Sequence, residues 1–221
     1  PVQSCESWIR SCFETGDYNR TSNRIMTMLL AIDQIAFRKQ DSIGVRLEDL
    51  KNHPKITLKN LCNWLGVEDD PCLYEMTVQG KKWWGDPTSP DYNINKEMAP
   101  FDDASTRRPI GTIFSQRDQF ILRTLFYPFS VRFGYQRPDT TKFETDLKEI
   151  QPLVNEPMEF EKSMLERTNL NSDQFERSGP YLAFHACLQD RWDVLNQFKD
   201  YPHMLQPLAN TFDRYTSENR P

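Results

Sequence analysis

The amino-acid sequence predicts a mostly helical α/β fold, with a parallel sheet flanked by helices and a helical C-terminal extension. Three observations carry this expectation. Apolar residues recur at helical spacing through much of the chain. A short, partly β-branched run, Ser42 to Arg46, lies between two such patterns, as in a βα unit. Beyond about residue 140 the sequence turns acidic, keeps helical recurrence and loses strand-like runs.

Taken in order, Val2, Cys5, Trp8, Ile9, Cys12 and Phe13 fall on one helical face, with Pro1 suited to a first-turn position. Gly16-Asp17-Tyr18-Asn19 reads as a break. Ile25, Met28, Leu29, Ile32, Ile35 and Ala36 then trace a longer helix that should pack on a sheet or on the first helix. The strand at 42–46 follows, and after it Ile56, Leu58, Leu61, Trp64 and Leu65 mark a helix. Gly66 stands where a left-handed cap is wanted.

Residues 77–111 hold Gly80, Gly85, Pro87, Pro90, Pro100, Pro109 and Gly111 and little periodicity, the composition of a long loop that is either functional or disordered, and the Trp83-Trp84 pair favours function. Helical spacing returns through Phe120, Leu122, Leu125 and Phe129, with Pro128 expected to end or kink the helix and Gly134-Tyr135 closing the segment. Breaks at Gln151-Pro152 and Ser178-Gly179-Pro180 divide the remainder into three expected short helices. The expected domain organisation is therefore residues 1–140 as one unit and 141–221 as a helical extension of unknown role.

Composition narrows the function classes. At 221 residues, with 38% hydrophobic and 12% aromatic residues, the chain can bury a core despite a mean hydropathy of −0.72. A net charge of −5 argues against a mainly electrostatic nucleic-acid binder, so any anion site must be local. The longest apolar run, Ile25 to Phe37, is interrupted by Thr27, Asp33 and Gln34 and is too short to span a membrane. Cys5, Cys12, Cys62, Cys72 and Cys187 lack CxxC spacing or a neighbouring His, which disfavours a metal site and a disulfide framework. A reducing, cytoplasmic setting is the simpler expectation. The sequon Asn19-Arg20-Thr21 is a triplet that chance readily produces. Pro1-Val2-Gln3-Ser4 offers neither an initiating Met nor a signal pattern, so sequence is expected to have been lost before it.

Four segments carry the chemistry. In Pro1-Val2-Gln3-Ser4-Cys5-Glu6-Ser7-Trp8, a helix start offers backbone N–H groups and its dipole to a phosphate, and Ser7 a neutral donor; alternatively Ser7 is an ordinary helix residue. Val45-Arg46-Leu47-Glu48-Asp49-Leu50-Lys51, with Pro54 and Leu65-Gly66, reads as a strand-to-helix junction in which Arg46, Glu48 and Asp49 form ion pairs and caps. In Gly80-Lys81-Lys82-Trp83-Trp84-Gly85-Asp86, the lysines can bind phosphate, Gly80 and Gly85 allow close backbone approach, and Trp83 or Trp84 can cover a ring. A solvated turn with one buried indole is the competing reading. Ile110 to Phe114, Arg117-Asp118 and Phe133-Gly134-Tyr135 serve packing and a surface Arg–Asp network.

In this order, over roughly residues 1–135, the segments resemble the C-terminal portion of sulfotransferases that use 3′-phosphoadenosine-5′-phosphosulfate (PAPS), of the bacterial and carbohydrate type. Leu47 replaces the family's usual aromatic, and Lys82 stands where the family has a Gly. The resemblance implies a P-loop-NTPase-like sulfotransferase fold. It implies that Ser7, Lys81, Lys82, Trp83, Trp84 and Gly85 bind the 3′-phosphate end of PAPS or its product PAP, without a metal. The reaction it implies is in-line sulfuryl transfer to an acceptor hydroxyl of a glycan or small molecule, driven by positioning and charge stabilisation. The 5′-phosphosulfate loop and the family's Arg would precede Pro1, so this chain alone should bind nucleotide poorly. His53, His185 and His203 receive no catalytic role. The competing class is a non-catalytic helical interaction domain that uses the Trp83-Trp84 loop as a protein-binding surface. A P-loop kinase relative would need the same missing loop.

Overall fold

The computed structural model describes residues 1–31, 42–75, 77–78, 81–82, 101, 110–167, 171–198 and 205–210. Ten α-helices and a small two-strand parallel sheet make it mostly helical among these residues. The helices are α1 (Val2–Glu14), α2 (Tyr18–Ala31), α3 (Leu47–Asn52), α4 (Pro54–Leu65), α5 (Gln116–Leu125), α6 (Tyr127–Arg132), α7 (Thr140–Ile150), α8 (Glu159–Leu165), α9 (Ser172–Glu176) and α10 (Gly179–Gln197). Strands β1 (Ile43–Gly44) and β4 (Gln206–Pro207) form one sheet, and β2 (Thr77–Val78) and β3 (Lys81–Lys82) an antiparallel ribbon.

The expected strand at 42–46 contracts to two residues. Arg46 is already the N-cap of α3, which leaves only Ile43 and Gly44 to pair, and the Leu208 N–H closes the ladder on the Gly44 carbonyl at 2.8 Å. Strand structure after residue 140, which the pattern does not predict, is this β4. The expected helix from 116 to 133 divides into α5 and α6. Pro128 sits in the first turn of α6 and lacks the N–H that would continue α5.

The extension also departs from three short helices. Among the described residues it holds four, and the last, α10, runs 19 residues. Ser178 accepts from the Tyr181 N–H at its start with Pro180 in the first turn, and no Gly or Pro interrupts residues 181–197. Asn171 opens α9 by accepting from the Gln174 N–H at 2.7 Å, which adds a break the composition does not announce. The far end of the helix expected through Ile35 and most of the loop expected over 77–111 lie outside the described residues.

Two compact units divide the chain. The first comprises residues 1–42, 109–206 and 213–221, the second residues 43–108 and 207–212, so the sequence boundary at residue 140 falls inside the first. In the first unit α2 packs against α1 and α10, and α5 against α1, α7, α8 and α10. Phe114, Phe126, Phe143, Phe160 and Phe184 are completely buried there. At about 2–3 kcal/mol for each fully buried large apolar side chain, against about 1 kcal/mol for a typical hydrogen bond, this packing dominates the unit's cohesion. In the second unit Gly66 ends α4 at φ 69°, as its place after Leu65 predicts. The strand-to-helix junction is polar: Arg46 Nε lies 3.7 Å from Asp49 Oδ1 and 3.9 Å from Glu48 Oε2, as the sequence suggests. The Thr57 hydroxyl donates to the Asp49 carbonyl at 3.0 Å, and Asn210 Nδ2 to the Asp49 carboxylate at 3.1 Å.

Candidate functional site

Ser7 lies in the second turn of α1, half-buried, in the first unit. The first turn of that helix carries no acidic residue, which leaves its N-terminal dipole free of opposing charge from side chains of that turn. Lys81 and Lys82 lie side by side on β3 in the second unit, where Lys81 pairs with Val78 and Lys82 with Thr77. Lys81 is exposed. Trp83, Trp84 and Gly85, with Gly80, lie outside the described residues. Of the six expected contact residues, Ser7 therefore lies on α1 in the first unit, and Lys81 and Lys82 are consecutive on β3 in the second, where successive strand residues face opposite sides.

Next to Ser7, Glu6 has a role that its sequence position does not suggest. Its carboxylate is 1% exposed and grips the segment at 111–114. It accepts from the backbone N–H of Gly111 at 3.0 Å, Thr112 at 3.0 Å and Phe114 at 3.3 Å, and from the Thr112 hydroxyl at 2.7 Å. Burial acts to raise the Glu6 carboxyl, but these donors to the charged form hold it below the ordinary carboxylate value. Gly111 adopts φ 98°, and a side chain there would press on Gln119 Nε2, so the segment requires glycine.

Asp118, completely buried, serves two helices at once. Ser115 and Asp118 form a reciprocal capping box at the start of α5. The same carboxylate accepts from the first N–H groups of α8, Glu159 at 2.8 Å and Phe160 at 3.0 Å. Burial outweighs these bonds and leaves its carboxyl above the ordinary value. Arg117 does not pair with Asp118. It reaches Glu156 at 2.6 Å, the Pro157 carbonyl at 3.0 Å and Glu159 at 3.7 Å. The Ser-x-x-Asp spacing is a legible signal for the cap, whereas nothing local announces Glu6 or the second helix that Asp118 serves.

A third buried carboxylate, Glu161, is fully enclosed. It accepts from the Tyr18 hydroxyl, from the Met158 N–H at 2.8 Å and from His185 Nε2, 3.0 Å away, while His185 Nδ1 lies 2.9 Å from the Val154 carbonyl. Among the described residues no group of three or more His, Cys, Asp or Glu could hold a metal ion, the five cysteines are free, and no helix is long and apolar enough to cross a membrane. No family model, curated protein or solved structure matches the chain.

Proposed function

We propose that the chain carries the 3′-phosphate-binding part of a PAPS-dependent sulfotransferase with a P-loop-NTPase-like fold. The observation that carries the reading is the adjacent Lys81 and Lys82 on a short ribbon that leads directly into Trp83-Trp84-Gly85-Asp86, after a β1–α3–α4 junction capped by Gly66. The two lysines stand in sequence next to a glycine-flanked aromatic pair, a combination suited to a phosphate with a stacked or covered purine. The start of α1, with Ser7 and no first-turn carboxylate, adds a second anion-compatible surface in the same chain order.

In this reading Lys81 and Lys82 neutralise the 3′-phosphate, and Ser7 is a candidate donor carried over from the family resemblance alone. The chemistry asked of these residues is positioning and leaving-group charge stabilisation, and the acceptor is a hydroxyl of a glycan or small molecule. The protein–protein alternative rests on Trp83 and Trp84, and the exposed Leu47, Ile56, Trp64, Leu65 and Val67 of the second unit are apolar side chains of the kind such a surface would use.

Isothermal titration of PAP into the full-length protein tests the reading, repeated with the double variant Lys81→Ala/Lys82→Ala and with Ser7→Ala. Binding that weakens about 10-fold or more in the double variant, roughly 1.4 kcal/mol, is expected for lost charge-assisted contacts. Absence of PAP binding by the full-length protein, or binding indifferent to both lysines, overturns it.

A further inference from the structure

We propose that Tyr18, Glu161 and His185 form a pH-sensitive lock, in which one proton held between His185 and Glu161 ties α2, α8 and α10 together and whose loss at rising pH loosens this helical unit. Hydrogen-bond inventory leads to this conclusion. The Val154 carbonyl can only accept, so His185 Nδ1 must donate to it. His185 Nε2 faces the Glu161 carboxylate at 3.0 Å, and a carboxylate can also only accept. Neutral imidazole has a single N–H and two such acceptors to serve. Either tautomer sets a nitrogen lone pair against an oxygen in a site where His185 is 11% exposed and Glu161 fully buried.

One additional proton, on Nε2 as imidazolium, removes the conflict, since both ring nitrogens then donate. The Tyr18 hydroxyl and the Met158 N–H complete the set around Glu161. Because both ring nitrogens are engaged, the cluster is an unsuitable general base and an effective strut. Three separate stretches of chain meet in it, at residues 18, 154–161 and 185.

The groups facing the imidazole are Glu161 from α8, the Val154 carbonyl from the 3-10 turn before it, the Tyr181 ring on α10 itself at 4.2 Å between centroids, and Glu176 from α9 at longer range. Tyr18 from α2 reaches it through Glu161. Burial works against the imidazolium, yet the hydrogen bond and charge of Glu161, helped by the Val154 carbonyl and Glu176, raise its proton affinity above the ordinary His value of 6.5. The folded chain therefore holds the proton more tightly than the unfolded chain. The stabilisation is complete below the unfolded value near 6.5 and is lost as pH rises through the higher folded value.

The chain has three histidines, His53, His185 and His203, so a proton–carbon NMR titration of the full chain can be assigned with the variant His185→Gln. The His185 signal should titrate above 6.5, and the folding constant from urea unfolding should fall by up to tenfold for each unit of that upward shift as pH rises across the window. His185→Gln should flatten this slope. Tyr18→Phe provides a reading on the native fold even if His185→Gln does not fold. By removing a donor from Glu161 it should make the pair more basic and move the His185 titration to higher pH. A His185 signal titrating at or below 6.5, parallel pH profiles for wild type and His185→Gln, or a titration unmoved by Tyr18→Phe would each overturn the lock.

Discussion

Replacing Glu6 should uncouple α1 from the segment at 111–114, and the bonds it makes set the size of the effect. Glu6→Ala removes the acceptor for three backbone N–H groups and the Thr112 hydroxyl. Gly111 and Thr112 are exposed, so water can replace the lost carboxylate there, at about 0.5–1.5 kcal/mol for each bond. Phe114 is completely buried, and its N–H would be left unsatisfied at about 1–3 kcal/mol. Together these give a loss of about 2.5–7.5 kcal/mol, a large share of a domain's usual stability of roughly 5–15 kcal/mol.

Glu6→Gln keeps one oxygen and sets an amide N–H2 against the remaining donors. It should therefore fall between wild type and Glu6→Ala. The 4.0 Å pair of Glu6 with the half-exposed Arg10 adds little, and Arg10→Ala should change stability by less than about 0.5 kcal/mol. Urea unfolding followed by tryptophan fluorescence, with an unchanged denaturant slope, is the assay. The pH dependence supplies an independent check. The folded Glu6 carboxyl sits below its ordinary value of 4.5, so its stabilisation is present above that value and is lost as pH falls through the lower folded one. Glu6→Gln lacks this acid-side component. A Glu6→Ala protein within about 1 kcal/mol of wild type, or an identical acid limb in Glu6→Gln, refutes the clamp.

Two further substitutions examine the local logic of the helices. Asp118→Ala removes the acceptor shared by the start of α5 and the start of α8, and should cost about 2–4 kcal/mol in urea unfolding; a loss below about 1 kcal/mol means that water substitutes at both helix starts. Gly66→Ala places a side chain at φ 69° with no atom within 4 Å, so the cost is backbone strain alone, about 1 kcal/mol. Thermal denaturation reads it, and a neutral result would mean that the left-handed cap of α4 is not retained.

What the sequence made legible was local. The apolar recurrence from Val2 to Phe13, Gly66 after Leu65 and Pro128 inside an apolar run each act within a few residues, so the ends of α1 and α4 and the division between α5 and α6 follow from chemistry visible at those places. The short strand was harder, because its partner β4 lies more than 160 residues away in the sequence and the helix that begins at Leu47 cuts the run short. Lys81 and Lys82 were legible as adjacent cations, and their pairing with Thr77 and Val78 adds the strand geometry. The carboxylate roles were not legible. Glu6 looks like an exposed acid on an amphipathic helix, and Glu161 like one of several acids in a polar stretch, until the segments that supply their donors are placed beside them.

These carboxylates also explain how a unit of mostly short helices selects one packing. Burial of phenylalanine and leucine is the larger driving force but is non-directional, and a helix that slipped or rotated against its neighbour could recover much of it. Glu6, Asp118 and Glu161 cannot slip at low cost. Each is buried, and each finds its donors on a distant part of the chain: the segment at 111–114, the first turn of α8, and Tyr18 with His185. A displaced packing would leave a buried charge with fewer donors, a penalty of several kcal/mol that the correct packing avoids. The apolar residues therefore supply the cohesion of the unit, while the three carboxylates, joining α1 to the 111–114 segment, α5 to α8, and α8 to α2 and α10, supply its register.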